Sequence, residues 1–260
     1  MSDNPPVGDT LLLEMRDPGI ALCTFNRPEK RNALSQEMVD DLRSLLQWLG
    51  GREDTRCLVF TGSEKSFVAG ADIAELRARG RMDALRRINS RLFREIETFA
   101  LPTIAAIRGH ALGGGCELAL ACDLRICGRG AKLGQPEVGL GILPGAGATY
   151  RLPRLVGPGL ARELIFTGRI VEAEEAHRIG LVNSVVDDDR VVAAAVEMGA
   201  SIARNGALAV RLAKQALLQA GEGSIEAGMA LESTSQAVLF EDEEKKRRMT
   251  AFLEKRASRG

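Results

Sequence analysis

Four short segments of the chain place glycines beside an acidic or a small residue, a combination that could support catalysis. They are residues 66–72 (SFVAGAD), 113–117 (GGGCE), 134–137 (GQPE) and 144–148 (PGAGA). In the second segment, glycines without a Cβ at the predicted start of a helix let a ligand approach the backbone closely. The first N–H groups of a helix lack internal acceptors and lie at the positive end of its dipole, so they can stabilise an oxygen that gains negative charge.

Glu117 and Glu137 are the acidic residues of these segments. Glu117 follows Gly114 by three residues, which places its carboxylate on the same face of the helix as that N–H. Its neighbours, Cys116 and residues 118–121, are apolar, and such surroundings raise the pKa of a carboxyl group. A carboxyl group tuned in this way can exchange protons near neutral pH, as a general acid or base must.

Each of these features also has a purely structural interpretation. Glu117 could complement the helix dipole, and Glu137, which follows a proline, could be a surface residue of a turn. The glycines at 113–115 could allow tight packing of a helix against a strand. Gly70 and the glycines at 145–147 could form turns. Local sequence alone leaves these alternatives open.

The elements that must position these residues alternate in the first part of the chain, where parallel strands joined by helices are expected. Strands are predicted at residues 11–14, 20–25, 57–61, 103–107 and 124–127, and a loop at 63–72. Helices are predicted from residue 35, near 73, at 82–99 and at 116–121. Beyond about residue 157 helical patterns dominate, at 160–166, 172–179, 191–203, 207–220 and 224–240, with one strand at 181–186. We therefore predict an α/β core over residues 1–190 and a helical region over 191–260.

Composition restricts the class of protein. The 260 residues include 35 Lys and Arg against 35 Asp and Glu, and this zero net charge argues against a general polyanion binder. No run of apolar residues is long enough to span a membrane, and the start of the sequence lacks signal-peptide features, so we expect a cytoplasmic protein without a membrane partner. Five Cys without a CxxC pair, together with only two His, indicate neither a disulfide framework nor a metal site.

The sequence also bears on three other functional classes. A dinucleotide site fails because Pro144 stands where the third glycine of G-x-G-x-x-G should be, after residues 139–143. Catalysis by Cys116 is disfavoured because neither histidine stands near it in sequence. RNA binding by residues 245–248 (KKRR) is the non-enzymatic alternative. Because residues 241–244 are all acidic and lie four positions earlier, an ion-paired, solvated helix is the preferred interpretation.

Taken in order, the motifs resemble those of the enoyl-CoA hydratase/isomerase (crotonase) family. Residues 66–72 resemble its F-x-A-G-A-D segment, residues 102–123 (PTIAAIRGHALGGGCELALACD) its central signature, and residues 134–152 its next block. Residues 26–28 with 32–34, and residues 252–256, also fit. The resemblance covers roughly residues 10–257, and several spaced motifs in order are far more specific than one.

This resemblance implies a crotonase-type α/β spiral of ββα units with a helical C-terminal trimerisation region. It implies an enoyl-CoA hydratase, which adds water reversibly and syn to a 2-trans-enoyl-CoA to give a 3-hydroxyacyl-CoA. The backbone N–H groups of Ala71 and Gly114 would form the oxyanion hole for the thioester carbonyl. Glu117 would act as base on the water that attacks C3, and Glu137 would be the acid linked to protonation at C2.

Further expectations concern binding and assembly. The adenosine part of CoA would lie along the loop that includes Ala69, Asp72 and Ile73, and Phe252 and Lys255 match a contact that a neighbouring subunit often supplies. The resemblance implies a homotrimer or a hexamer, an acyl-CoA substrate, and no metal or separate cofactor.

The presence of both glutamates favours a hydratase over an isomerase, although an isomerase and a methylglutaconyl-CoA hydratase of the same family remain alternatives. Tyr150 stands where the family often has Gln, at a position that supplies neither acid. The sequence does not determine the length or branching of the acyl chain, which residues 73–80 and the segment after them are expected to influence.

Overall fold

The structure is a computed structural model that describes residues 7–257. They form two compact units, which divide between Ala200 and Ser201. The strands are β1 Leu11–Arg16, β2 Ile20–Phe25, β3 Cys57–Thr61, β4 Ser66–Val68, β5 Thr103–Ile107, β6 His110–Leu112, β7 Leu124–Gly128, β8 Lys132–Gly134, β9 Ile170–Glu172 and β10 Ser184–Val186. The α-helices are α1 Gln36–Gly50, α2 Ile73–Ala78, α3 Arg81–Arg86, α4 Ile88–Glu97, α5 Gly114–Ala121, α6 Ala148–Val156, α7 Pro158–Thr167, α8 Ala173–Arg178, α9 Val191–Ala203, α10 Ala207–Ala220, α11 Ile225–Glu241 and α12 Glu243–Ala257.

Two sheets organise the first unit. The larger has the strand order β1-β2-β3-β5-β7-β10, in which β1 is antiparallel to β2 and the other neighbours are parallel. The smaller has the order β4-β6-β8-β9, with only its last pair antiparallel. Strands β3 and β5 are buried along their whole length, as expected for parallel strands that are covered on both faces.

Successive strand pairs generate a spiral. Each of the pairs β3–β4, β5–β6 and β7–β8 sends its first strand into the larger sheet and its second into the smaller one. Both sheets therefore grow by one parallel strand per pair, and helices follow each pair. This arrangement confirms the α/β spiral of ββα units that the sequence motifs implied.

The smaller sheet is where the sequence predictions failed. A loop was expected over residues 63–72, yet Ser66–Val68 forms β4, and neither β6 nor β8 was predicted. Three residues are too few to show the period-two alternation by which a strand is recognised. These strands exist because they pair with one another, for example Ser66 with His110 and His110 with Lys132.

The single helix expected over residues 82–99 is divided into α3 and α4. Arg87, between them, has a left-handed backbone with φ +55°, and no glycine or proline within residues 82–99 marks the break. Helix α4 buries one face through Leu92, Phe93 and Ile96. Residues of both helices, among them Ala84 and Ile88, line the cavity described below.

The second unit is helical, as the sequence predicted. Helix α9 spans the division between the units, and the boundary expected near residue 190 precedes this helix. Ser224 caps α11 by accepting a hydrogen bond from the Ala227 N–H. No helix within residues 7–257 is long and apolar enough to cross a bilayer.

Candidate active site

The Ala71 amide is positioned by a bridge between two segments. The Leu34 N–H donates to the Gly70 carbonyl at 2.8 Å, and the Leu34 carbonyl accepts from the Asp72 N–H at 3.0 Å, so Leu34 and Ala71 form a parallel bridge. Along an extended chain, the hydrogen-bonding groups of successive residues point to opposite sides. The N–H of Ala71 itself is therefore directed away from Leu34.

The Gly114 amide reaches the same place from the start of α5. Gly113 precedes the helix with φ +51° and donates its N–H to the Gly134 carbonyl at 2.9 Å. Gly114 is the first helical residue, so its N–H has no acceptor within the helix. A Cβ built on Gly114 would lie 3.7 Å from the Ala71 nitrogen. The structure thus brings together the two residues that the motifs assign to an oxyanion hole, although they are distant in sequence.

Glu117 is buried, with 2% of its surface exposed. Its Oε1 accepts hydrogen bonds from the N–H groups of Ala146 at 2.7 Å and Ala148 at 3.1 Å. Burial raises the pKa of the Glu117 carboxyl above its usual value, because the loss of solvent outweighs the support that these amides give to the charged form.

Glu137 lies on a 3-10 turn, Pro136–Leu140, and is half-buried. Burial, together with the nearby charge of Glu117, raises the pKa of Glu137 to about 7. The side-chain amide of the buried Gln135, oriented to donate, lies 3.2 Å from both carboxylate oxygens of Glu137. A Cβ on Gly113 would lie 3.0 Å from Glu137 Oε1, so a glycine at 113 leaves room for this carboxylate.

One cavity of about 430 Å³ joins these groups. Glu117, Glu137, Ala71 and Gly114 all line it. So do Ala69 and Ile73, two of the residues expected to bind substrate. The apolar part of the wall comes from Leu76, Ala84, Ile88, Leu112, Leu140, Ile142 and Leu143. This lining suits an aliphatic chain whose polar head meets two amides and two carboxyl groups.

The arrangement supports proton transfer beside a stabilised oxyanion. Burial raises the pKa of both carboxyl groups, and the charge of Glu117 raises that of Glu137 further, so the arrangement disfavours simultaneous ionisation of the two. The ionised member can accept a proton from water while the protonated member donates one. Two converging N–H groups can stabilise negative charge on a carbonyl oxygen.

Three other predicted residues lie as follows. The Asp72 carboxylate caps α2 by accepting from the Ala74 N–H at 3.0 Å and lies 3.6 Å from the Arg27 guanidinium, so it stabilises the loop that carries Ala71. Phe252 and Lys255 lie on α12 in the second unit, and both are exposed. Their contact with CoA, which would come from a neighbouring subunit, stays a prediction.

Arg151 and Glu97 are residues near the site that sequence reasoning missed. Arg151 is 3% exposed, forms a two-pronged ion pair with Glu97, and donates to the Ala146 carbonyl at 3.0 Å. The two side chains are 54 positions apart, so no local spacing pairs them. The one local signal for Arg151 was its place beside the apolar Leu152 near the start of a helix, which could have indicated a buried arginine.

Cys116, beside Glu117, is buried, and burial raises the pKa of its thiol to about 12. The thiol is therefore neutral near pH 7, which agrees with the prediction that it is not a nucleophile. Among the described residues, no group of three or more His, Cys, Asp or Glu side chains is arranged to hold a metal ion.

Comparisons with known proteins agree on one family. Residues 15–259 match the family model described as enoyl-CoA hydratase/isomerase. The chain is similar to crotonyl-CoA hydratase of Syntrophomonas wolfei, with 43% identity over 95% of this chain and 96% of the relative. It is similar to short-chain-enoyl-CoA hydratase of Clostridium acetobutylicum, with 41% identity over 97% of each chain. A crystal structure of enoyl-CoA hydratase from Bacillus anthracis superposes with a TM-score of 0.91 at 37% identity, covering 95% of this chain and 96% of that one.

Proposed function

The chain belongs to the enoyl-CoA hydratase/isomerase family, and we propose that it is an enoyl-CoA hydratase. This hydro-lyase adds water reversibly and syn across the double bond of a 2-trans-enoyl-CoA and gives a 3-hydroxyacyl-CoA. The single observation that carries the proposal is that one cavity is lined by Ala71 and Gly114, whose backbone N–H groups are the expected donors, and by the carboxyl groups of Glu117 and Glu137.

The oxyanion hole would act on the thioester carbonyl. Attack of water at C3 of the conjugated system moves negative charge onto the thioester oxygen and forms an enolate. The N–H groups of Ala71 and Gly114 would donate to that oxygen. Loss of one such donor typically raises the barrier by about 2.7–4 kcal/mol, so this contact supplies a large part of the rate enhancement.

The two glutamates would transfer the protons. Ionised Glu117 takes one proton from the water as its oxygen bonds to C3, and protonated Glu137 gives a proton to C2. The proton held by Glu117 then restores Glu137 before the next turnover. Syn addition requires both carboxyl groups to face the same side of the double bond. The reaction is redox-neutral and CoA is part of the substrate, so we propose no separate cofactor.

The test is an absorbance assay for loss of the conjugated thioester of crotonyl-CoA. Glu117→Gln and Glu137→Gln should each lower kcat by about 10²–10⁴-fold, the range for loss of a general acid or base, with little change in KM. Glu64→Gln, at an exposed acid, is the control and should behave as wild type. A wild-type protein that does not hydrate crotonyl-CoA or its longer homologues would contradict the proposal.

One observation favours a methylglutaconyl-CoA hydratase as the second candidate. Arg87 and Asn89 line the same cavity. Within the described chain the Arg87 guanidinium has no ion-pair partner, and Asn89 Oδ1 is buried without a hydrogen bond. A carboxylate at the end of the acyl group could pair with the Arg87 guanidinium, whereas Asn89 Oδ1 is an acceptor and would need a donor from a bound molecule. If so, 3-methylglutaconyl-CoA should be hydrated with a higher kcat/KM than crotonyl-CoA, and Arg87→Met should lower only the former.

We propose further that the protein assembles as a homotrimer or a hexamer of two trimers. Support comes from the second unit, which exposes many large apolar side chains; they include Leu217, Ile225, Met229, Val238, Phe240, Met249, Phe252 and Leu253. Exposed apolar surface of this extent is typical of an interface. Light scattering should give three or six times the chain mass of 27.9 kDa.

The non-enzymatic alternative, RNA binding, receives less support. On α12, Glu244 pairs with Arg248 at 2.8 Å and Glu243 pairs with Lys246 at 2.6 Å, so acidic groups lie against the basic cluster. Only the first pair has the expected four-residue spacing, and the single helix expected to carry residues 241–248 is divided at Asp242, which leaves Glu241 at the end of α11. A steep loss of RNA affinity with added salt would be needed to support this function.

We also propose a cytoplasmic location, since all five cysteines are free thiols.

A further inference from the structure

The loop of residues 144–148 surrounds the Glu117 carboxylate with main-chain N–H groups. Ala146 and Ala148 donate to Oε1 at 2.7 and 3.1 Å, and the Gly147 N–H between them also stabilises the charged form. Three successive amides can point at one carboxylate only if the backbone leaves its regular conformations. Gly147 provides this change of direction, with φ +126°.

Arg151 holds this loop from the side opposite Glu117. Its Nη1 donates to the Ala146 carbonyl at 3.0 Å. In a trans peptide the C=O and the following N–H point in opposite directions. Anchoring the Ala146 carbonyl therefore turns the Gly147 N–H toward Glu117. The contact also explains why residue 147 is glycine, because a Cβ there would lie 1.9 Å from Arg151 Nη1.

Glu97 in turn fixes the guanidinium of Arg151. Arg151 Nε lies 3.0 Å from Glu97 Oε1, and Nη2 lies 2.8 Å from Oε2. Burial alone would raise the pKa of Glu97, but its bonds to Arg151 and Arg94 hold the pKa below its usual value, so the pair is charged. Two parallel bonds fix both the distance and the plane of an arginine. A continuous set of contacts therefore runs from Glu97 on α4, through Arg151 on α6, to the loop around Glu117.

We propose that Arg151 is a positioning residue for hydration. Through the Ala146–Gly147 peptide it aims main-chain donors at Glu117 and so keeps this carboxylate oriented and ionised for attack by water. The inference rests on the proposed hydratase function and assigns to Arg151 and Glu97 a role that the two-glutamate mechanism does not contain.

A pH profile separates this role from simple support of the fold. The charged or titratable groups near Glu117 are Glu137 on the 3-10 turn, Arg151 on α6 with Glu97 behind it, and the neutral thiol of Cys116 on α5. Loss of Arg151 removes a guanidinium whose charge lowers the pKa of Glu117 and loosens the amides, and both changes favour the protonated form of Glu117. The low-pH limb of the kcat profile should then move to higher pH.

The experiment compares Arg151→Met and Arg151→Lys with wild type, using crotonyl-CoA across the pH range. We expect kcat of Arg151→Met to fall by up to about 10²-fold, as for other misplaced catalytic groups, with KM changing much less. Its low-pH limb should rise by about one pH unit. Arg151→Lys should recover part of kcat, because it keeps the charge but cannot make all three contacts. The matched control is Arg154→Met, an exposed arginine on the same helix.

Two results would overturn the proposal. One is a folded Arg151→Met protein with wild-type kcat and an unmoved low-pH limb. If circular dichroism shows that Arg151→Met does not fold, Arg151→Lys decides instead, and a wild-type pH profile in that variant rejects the role. An inactive wild-type protein would instead reject the hydratase function itself, so the two failures are distinguishable.

Discussion

At the scale of single residues, the site depends on giving two nearby carboxyl groups, Glu117 and Glu137, different surroundings, so that they need not ionise together. The Glu117 carboxylate accepts hydrogen bonds from main-chain N–H groups. Glu137 is half-buried, and the charge of Glu117 raises its pKa. The pair therefore releases its protons in two steps rather than one. The state that the proposed hydration requires is the one in which the pair holds one proton.

The raised pKa of Glu137 makes stability depend on pH. Between its ordinary value of 4.5 and about 7, the folded protein keeps a proton that the unfolded chain releases. The free energy of unfolding should therefore fall as pH rises through this window. In Glu137→Gln this dependence should be weaker, by on the order of 1 kcal/mol after discounting for partial exposure. Urea unfolding below and above the window measures it, with Glu64→Gln as the control. Equal pH dependence in wild type and Glu137→Gln would contradict this expectation.

Gly114→Ala tests the oxyanion hole without touching either acid. The new Cβ would lie 3.7 Å from the Ala71 nitrogen, where the thioester oxygen must enter, and 3.2 Å from the flexible end of Leu34. We expect kcat to fall by about 10²-fold or more, with little change in the free energy of unfolding. Gly159→Ala, where a Cβ meets nothing within 4 Å, is the matched control. Because the N–H of residue 114 remains, full activity of Gly114→Ala would contradict the placing of the thioester oxygen between Gly114 and the Ala71 nitrogen.

At the scale of secondary structure, the site depends on close contact between α5 and β4. A Cβ on Gly115 would lie 1.9 Å from the Val68 carbonyl oxygen. This glycine therefore serves tight helix–strand packing, the structural interpretation considered for the glycine run, while its neighbour Gly114 faces the cavity. One turn of helix carries both roles.

Gly115→Ala should therefore be costly in a way that Gly114→Ala is not. Because the obstructing atom is backbone, α5 must shift from β4, and we expect a loss of about 3 kcal/mol or more in the free energy of unfolding. Urea denaturation of the two variants provides the comparison. If they were equally stable, the close approach of α5 to β4 would not be what the glycine permits.

At the scale of the whole molecule, two compact units follow one another in the chain. The first contains every residue that lines the cavity. The second is helical and carries Phe252 and Lys255, the residues expected to contact CoA from a neighbouring subunit. Assembly and substrate binding would thus be linked through α12.

Lys255→Met tests this link. If Lys255 contacts the anionic part of CoA, its loss should raise KM for crotonyl-CoA by about fivefold, equivalent to roughly 1 kcal/mol, and leave kcat unchanged. The difference from wild type should shrink in high salt. Lys246→Met is the control on the same helix, since Lys246 pairs with Glu243. An unchanged KM in Lys255→Met would assign the contact to another residue.

Local features of the site could be predicted from the sequence. Glu117 and Gly114 lie within one helical turn, so their relation depends only on residues between them. The long helices of the second unit could also be predicted, and α9 and α10 begin and end where the apolar spacing indicates. The family could be identified because its motifs occur in order.

The convergence of Ala71 on Gly114, the pairing of the three-residue strands and the Glu97–Arg151 contact were decided by tertiary structure. Each joins segments that are far apart in the chain, and no short stretch of sequence encodes such a distance. Backbone conformation depends mainly on neighbouring residues, whereas the approach of remote segments depends on how the whole core packs. The sequence therefore determined which groups are present, and packing determined which of them meet.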